Sequence, residues 1–217
     1  MNRLIRKTMF EAVDLYPVTC EKLSAGRSNL DVLEGVVRGG ARIIQLREKE
    51  ATSREFYDMA VRFRQITSRA GILLIINDRL DIALAVDADG VHLGQEDLPV
   101  DAARKLGPEL IIGASTHSLE EALRARDAGA DYVNIGPIFP TSTKAGVRDF
   151  LGPEAISAIG PRLGIPFTVM GGIHEQNLDE VLRHGARKVA MVTEITQASD
   201  IARKVRSLRS RILGQQA

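Results

Sequence analysis

The chain has 217 residues, enough for one large core or two small ones. Hydrophobic residues make up 44% and charged residues 26%, an ordinary globular balance, and a net charge of +1 gives no basic field for nucleic acid. No apolar run approaches the roughly 20 residues that cross a bilayer, and the basic start, Met1 to Lys7, lacks the apolar stretch and cleavage site of a signal peptide.

Residues 1–13 read as an arm or an added short helix ahead of a first strand candidate at 15–19. That strand contains Pro17, whose missing N–H must face a gap or a bulge in a closed sheet. It runs into Cys20-Glu21-Lys22 without a glycine-rich turn, which counts against a dinucleotide-binding open sheet. Cys20 is the single cysteine, so no internal disulfide can form. It reads as a half-buried small apolar residue and fits a reducing cytoplasm.

A second strand at 43–47 leads into Gln45-Leu46-Arg47-Glu48-Lys49, where period-two alternation places Gln45, Arg47 and Lys49 on one side. Residues 53–70 form an amphipathic helix, with Phe56, Met59, Ala60, Phe63 and Ile66 at three- and four-residue spacing. Thr52 and Glu55 open it and Gly71 closes it. Further strands are predicted at 73–78, 90–94, 111–116, 132–137, 166–172 and 189–193, with helical patterns between them; Ser118-Leu119-Glu120-Glu121 starts one. Gly40-Ala41-Arg42, Gly129-Ala130-Asp131 and Gly185-Ala186-Arg187 each stand just before a strand and mark a repeated unit. Eight βα units of about 25 residues predict an α/β chain folded as a single (β/α)8 TIM barrel over residues 1–217. A doubly wound sheet, the structural competitor, usually has only five or six strands.

In such a barrel the active site lies at the C-terminal strand ends, and the unusual polar residues collect there. Asp78 and Asp97 are hard oxygen donors on neighbouring strand ends, suited to Mg2+. Arg47, Lys49 and Lys144 bring three cations to the same mouth, the chemistry of a diphosphate site. Gly171-Gly172 and the start of the last βα loop offer backbone amides for a second phosphate. Each residue also has an ordinary reading: rim ion pairs for Arg47 and Lys49, an Asp78–Arg79 salt bridge, close packing at Gly171-Gly172. His117 and His174 read as loop hydrogen-bonders and His92 as a packed strand residue. No Ser-His-Asp grouping or Cys/His cluster is present, so hydrolysis and zinc chemistry are not expected.

Gln45-Leu46-Arg47-Glu48-Lys49, Ile76-Asn77-Asp78-Arg79, Asp89-Gly90-Val91-His92-Leu93-Gly94-Gln95, Asp97, Thr141-Ser142-Thr143-Lys144 and Gly171-Gly172-Ile173 together resemble the thiamine-phosphate synthase family, in order, over about residues 14–205. The resemblance implies a transferase of thiamine biosynthesis. It would join 4-amino-2-methyl-5-hydroxymethylpyrimidine diphosphate to 4-methyl-5-(2-phosphoethyl)thiazole, with release of diphosphate. It makes Asp78 and Asp97 Mg2+ ligands, and gives Gln45, Arg47, Lys49, Asn77, Ser115 and Lys144 to the pyrimidine diphosphate. Arg47, Lys49, Ser115 and Lys144 are the expected catalytic groups of a dissociative substitution. Thr141, Thr143, Gly172, Thr193 and Glu194 would border the thiazole phosphate. Where the family usually ends strand eight in Val-Val-Ser-Ala-Ile, this chain has Met191-Val192-Thr193-Glu194-Ile195, and Glu194 is expected to turn outward to a basic side chain. The loop from about 139 to 150 is expected to act as a lid. The alternatives are a related thiazole tautomerase and a non-catalytic binder of thiamine-pathway phosphates. The expected partners are these small molecules, with no nucleic acid or membrane; a homo-oligomer is left open by the sequence.

Overall fold

Short strands buried on both faces need helices outside and side chains inside, and both are supplied along this chain. The computed structural model describes residues 1–141 and 149–214. The strands are β1 (Leu15–Pro17), β2 (Ile43–Leu46), β3 (Leu73–Asn77), β4 (Gly90–Leu93), β5 (Ile111–Thr116), β6 (Tyr132–Ile135), β7 (Phe167–Val169) and β8 (Val189–Met191). The helices in the first half are α1 (Arg3–Glu11), α2 (Asn29–Arg38), α3 (Ser53–Ala70), α4 (Leu80–Ala85) and α5 (Val100–Leu106). Those in the second half are α6 (Leu119–Asp127), α7 (Glu154–Ile159), α8 (Leu178–Arg183), α9 (Thr193–Thr196) and α10 (Ile201–Gly214).

All strand pairs are parallel, each strand beside the next from β2 to β8, and β1 pairs with β8. The seam between β1 and β2 is a single bridge, Val18–Gln45, which almost closes an eight-stranded barrel. Pro17 sits at that seam. Val18 N donates to Met191 O on β8, while Thr19 N donates to Gln45 O on β2. Pro17 shares the orientation of Thr19, so its missing donor faces the sparse β1–β2 seam and the β8 ladder loses nothing.

Several strands end one to three residues earlier than the sequence predicts. β7 stops at Val169 because Gly171 (φ +103°) and Gly172 (φ +60°) turn the chain out of the ladder. β2 stops at Leu46, so only Gln45 of the alternating polar trio belongs to a strand; Arg47 and Lys49 lie in the following loop. The helix signals hold better. Thr52 and Ser28 each close a reciprocal capping box, and α3 ends at Gly71 in the left-handed conformation.

Side chains that alternate along the strands divide the core into two. Ile44 and Leu46, with their counterparts on the other strands, pack outward against the helices. Ile43, Leu73, Ile75, Ile111, Tyr16 and Tyr132 fill the interior. The N-terminal stretch is a helix, α1, that closes the bottom of this interior with Phe10, whose ring stacks on Tyr132 at 4.3 Å between centroids. Its basic residues serve buried carboxylates: Arg3 bonds Asp131 at 2.7 Å, and Arg6 bonds Asp89 at 3.4 Å. Asp89 also accepts from Arg64 (2.7 Å) and from Leu74 N (2.9 Å), so the base of the sheet is pinned by charge as well as by packing. No helix among the described residues is long and apolar enough to cross a membrane.

Candidate active site

The opposite, C-terminal end of the barrel gathers the polar side chains. Asp78 stands one residue past β3 with φ +62°, a conformation uncommon for a residue with a side chain and a frequent mark of functional geometry. Its backbone N–H donates to His92 O at 2.8 Å, and its carboxylate is contacted by the Lys49 ammonium. Asp97 accepts from Gly94 N at 2.6 Å. Burial, and then the hydrogen-bonded carboxyl of Asp78, push the Asp97 carboxyl above its ordinary range, while Gly94 N and Lys49 pull the other way. Two carboxyls forced together with one ammonium nearby are the donor set that a divalent cation relieves, so these residues fit Mg2+. Among the described residues no group of three or more His, Cys, Asp or Glu could hold a metal, so protein alone would supply a sparse, oxygen-only shell.

Arg47 is held by its backbone: its N–H donates to Thr19 Oγ1 at 3.0 Å and its carbonyl accepts from the same hydroxyl at 3.3 Å. The half-exposed Arg47 guanidinium and Asn77 amide bond no described residue and stay open to a ligand. Gln45 is buried in the interior and donates to Tyr16 Oη at 3.0 Å. Ser115 is tied down twice, its carbonyl by Gln95 Nε2 at 2.5 Å and its Oγ by His92 Nε2 at 3.0 Å. His92 is therefore more than strand packing. It lies between Ser115 and Tyr132, and burial pushes its pKa down to about 4, so the ring is neutral near pH 7.

The ordinary readings hold elsewhere. Arg79 pairs with Asp81 (2.5 Å), not Asp78, and His117 bonds Glu121 at 3.0 Å. Cys20 is more buried than the sequence suggests, at 8% exposure.

The second half of the mouth is built by backbone. An added Cβ on Gly172 would meet Pro140 O at 2.3 Å, so the loops after β6 and β7 touch through a glycine. Asn177, which sequence reasoning missed, staples this turn: its Nδ2 donates to Gly172 O (2.9 Å) and its Oδ1 accepts from His174 N (2.7 Å). Its position five residues after Gly172 was the available signal. Thr193 and Glu194 begin α9. Glu194 is held by Lys204 of α10 at 2.8 Å and by His174 at 3.3 Å, and Lys204 also binds Glu175 at 2.5 Å. Thr141 closes the described part of the β6 loop. Thr143, Lys144 and most of the expected lid lie outside the described residues.

Residues 15–195 match the family model for thiamine monophosphate synthase. A thiamine-phosphate synthase of Dictyoglomus thermophilum is 46% identical over 209 residues, covering 96% of this chain and 94% of the relative. One from Chloroflexus aurantiacus is 45% identical over 196 residues, covering 90% of this chain and 91% of the relative. The solved thiamine phosphate pyrophosphorylase of Pyrococcus furiosus superimposes with a TM-score of 0.88 at 37% identity, over 98% of this chain and all of the other. With a barrel whose mouth carries that set of polar residues, the chain belongs to the thiamine monophosphate synthase family.

Proposed function

We propose that this chain is a thiamine-phosphate synthase. It transfers the pyrimidylmethyl group of 4-amino-2-methyl-5-hydroxymethylpyrimidine diphosphate to the nitrogen of 4-methyl-5-(2-phosphoethyl)thiazole. The observation that carries this reading is the pair of neighbouring carboxyls, Asp78 and Asp97, the first contacted by Lys49, at the same strand ends as Arg47, Asn77 and Ser115. A tautomerase acting on the thiazole alone has no diphosphate to neutralise and no need of that cluster. Glu194, held by Lys204 and His174, gives no support to a disabled binder.

In the proposed mechanism Arg47, Lys49 and Lys144 bind the diphosphate, while Gln45, Asn77 and Ser115 hold the pyrimidine end. Mg2+ bound by Asp78 and Asp97 would supply positive charge against the leaving group. The C–O bond to diphosphate breaks first, leaving a carbocation stabilised by the aminopyrimidine ring. The thiazole nitrogen then donates its electron pair to the new C–N bond. No protein nucleophile takes part; the chain contributes charge stabilisation and alignment. The thiazole phosphate is oriented by Gly172, Thr193, Thr141 and Thr143, with Glu194 neutralised by its partners so that it does not repel the phosphate. The 139–150 loop would exclude water from the cation.

The test is incubation of the purified chain with both substrates and Mg2+. Thiamine phosphate and diphosphate should appear in equal amounts. Thiazole rearrangement without thiamine phosphate would establish the tautomerase reading, and ligand binding without any product would establish the binder.

A further inference from the structure

Below the mouth, five side chains form a continuous line of hydrogen bonds across the barrel interior. Gln45 Nε2 donates to Tyr16 Oη at 3.0 Å; Tyr16 Oη lies 2.9 Å from Tyr132 Oη. Tyr132 Oη lies 3.1 Å from His92 Nδ1, and His92 Nε2 lies 3.0 Å from Ser115 Oγ. Tyr16 and Tyr132 are fully buried, and His92 is 8% exposed. The line joins β1, β2, β4, β5 and β6, and its bonded neighbours stand 23 to 116 residues apart in the chain.

Counting hydrogens fixes its direction. Each phenol has one hydrogen, and an imidazole buried between two hydroxyls, with no carboxylate in hydrogen-bond contact, has one as well. Tyr16 already accepts from Gln45, so its own hydrogen goes to Tyr132, the other polar atom it touches among the described residues. Tyr132 must then donate to His92 Nδ1, which leaves the ring hydrogen on Nε2, donated to Ser115 Oγ. The Ser115 hydrogen has no acceptor below it and turns to the mouth. At the other end, Asn29 Oδ1 is the one buried unpartnered side-chain atom among the described residues, so Gln45 Oε1 opens on the lumen as an acceptor. With Gln45 Nε2 on Tyr16, any other arrangement strands a phenol hydrogen inside the barrel, a costly arrangement.

We propose that Tyr16, Tyr132 and His92 are positioning residues, whose one-way hydrogen-bond chain holds Gln45 as an acceptor and Ser115 as a donor toward the first substrate. This rests on the synthase reading for the identity of that substrate. An aminopyrimidine diphosphate offers what such a pair needs: an amine to donate to Gln45 Oε1, and ring nitrogens or phosphate oxygens to accept from Ser115. Neither tyrosine touches the ligand in this scheme. They act through the groups they lock.

Two measurements test it. Nitrogen-15 NMR of the whole chain, with the His92 signals assigned by their loss in His92→Gln, should show a bare Nδ1 and a protonated Nε2. A protonated Nδ1 would overturn the proposal, since it reverses the chain, turns the Gln45 amide over and makes Ser115 donate downward. Tyr132→Phe keeps the ring that stacks on Phe10 and removes the link. It should let His92 exchange tautomers and lower kcat/KM for the pyrimidine diphosphate about tenfold, the scale of one net hydrogen bond. The KM for the thiazole phosphate should stay within about twofold of its original value. A Tyr132→Phe variant with one fixed Nε2–H tautomer and unchanged kinetics would also overturn it. If the synthase reading itself fails, no variant makes thiamine phosphate, and the tautomer of the unaltered chain still decides the direction of the line.

Discussion

Gly172→Ala separates backbone strain from site geometry, because the chain contains its own control. Gly172 has φ +60° and Gly71 has φ +67°, so alanine meets nearly the same penalty at both, about 1–2 kcal/mol for a left-handed residue. The surroundings differ. Nothing lies within 4 Å of a Cβ on Gly71, whereas a Cβ on Gly172 would sit 2.3 Å from Pro140 O, 2.8 Å from Phe139 Cβ and 2.9 Å from Phe139 O. Opening 2.3 Å to even the 3.0 Å limit moves the β6 and β7 loops apart by at least about 0.7 Å. A displacement near 1 Å in a reacting site costs on the order of a hundredfold in rate. Gly71→Ala should therefore lower Tm by roughly 2–8 °C, given about 2–4 °C per kcal/mol at this chain length, and leave kinetics unchanged. Gly172→Ala should lower Tm at least as much and also reduce kcat/KM for the thiazole phosphate by about 10- to 100-fold. The KM for the pyrimidine diphosphate should change less, since Gln45, Arg47, Lys49 and Asn77 stand at the ends of β2 and β3, away from those two loops. Steady-state kinetics with one substrate saturating, alongside thermal melts, reads all of this. Equal thiazole-phosphate kinetics in the two variants would refute the idea that contact between these loops shapes the second site.

Asp97→Asn should remove Mg2+-dependent turnover by about 10²–10³ and yet stabilise the metal-free chain. Its carboxyl is raised above 3.8 by burial and then by Asp78, so the folded state binds the extra proton, and stability falls as pH rises from 3.8 through the raised value. Melting in EDTA should show the variant ahead at pH 7, with the advantage gone near pH 3. Glu194→Ala should change the thiazole-phosphate KM by less than about twofold, because Glu194 is turned to Lys204 and His174 and Lys204 keeps Glu175; kinetics with saturating pyrimidine diphosphate checks it. Asp89→Ala should cost about 3–5 kcal/mol in denaturant melts, since it strands the Arg64 guanidinium and Leu74 N at the base of the barrel and leaves Arg6 only Asp87 and Glu109 O. Substrate KM values should be unaltered in the folded fraction.

The eight strands were legible because parallel strands buried on both faces are spelled as short apolar runs between glycine-closed helices; all eight fall where the sequence places them. Their C-terminal ends were not legible. The ladder stops where the βα loop turns away, and the period-two argument carried past Leu46 placed Arg47 and Lys49 on a strand they do not join. The Asp78–Asp97–Lys49 cluster follows from topology once strand order is known, and the sequence anticipates it. What it could not show were partners far apart in the chain. Arg6 and Asp89 are 83 residues apart, and Tyr16 and Tyr132 are 116 apart. No local pattern marks either pair; residues 1–13 read as an arm or an added short helix, and nothing in that stretch points to the carboxylates its arginines reach.

The central claim is that Asp78 and Asp97 anchor a divalent metal for a diphosphate. Mn2+ bound to the chain, counted by electron paramagnetic resonance with inorganic diphosphate present, tests it directly. One ion per chain should bind to the unaltered protein, and none to Asp78→Ala or Asp97→Ala at the same metal concentration. One Mn2+ still bound in both variants would put the metal elsewhere and contradict the account.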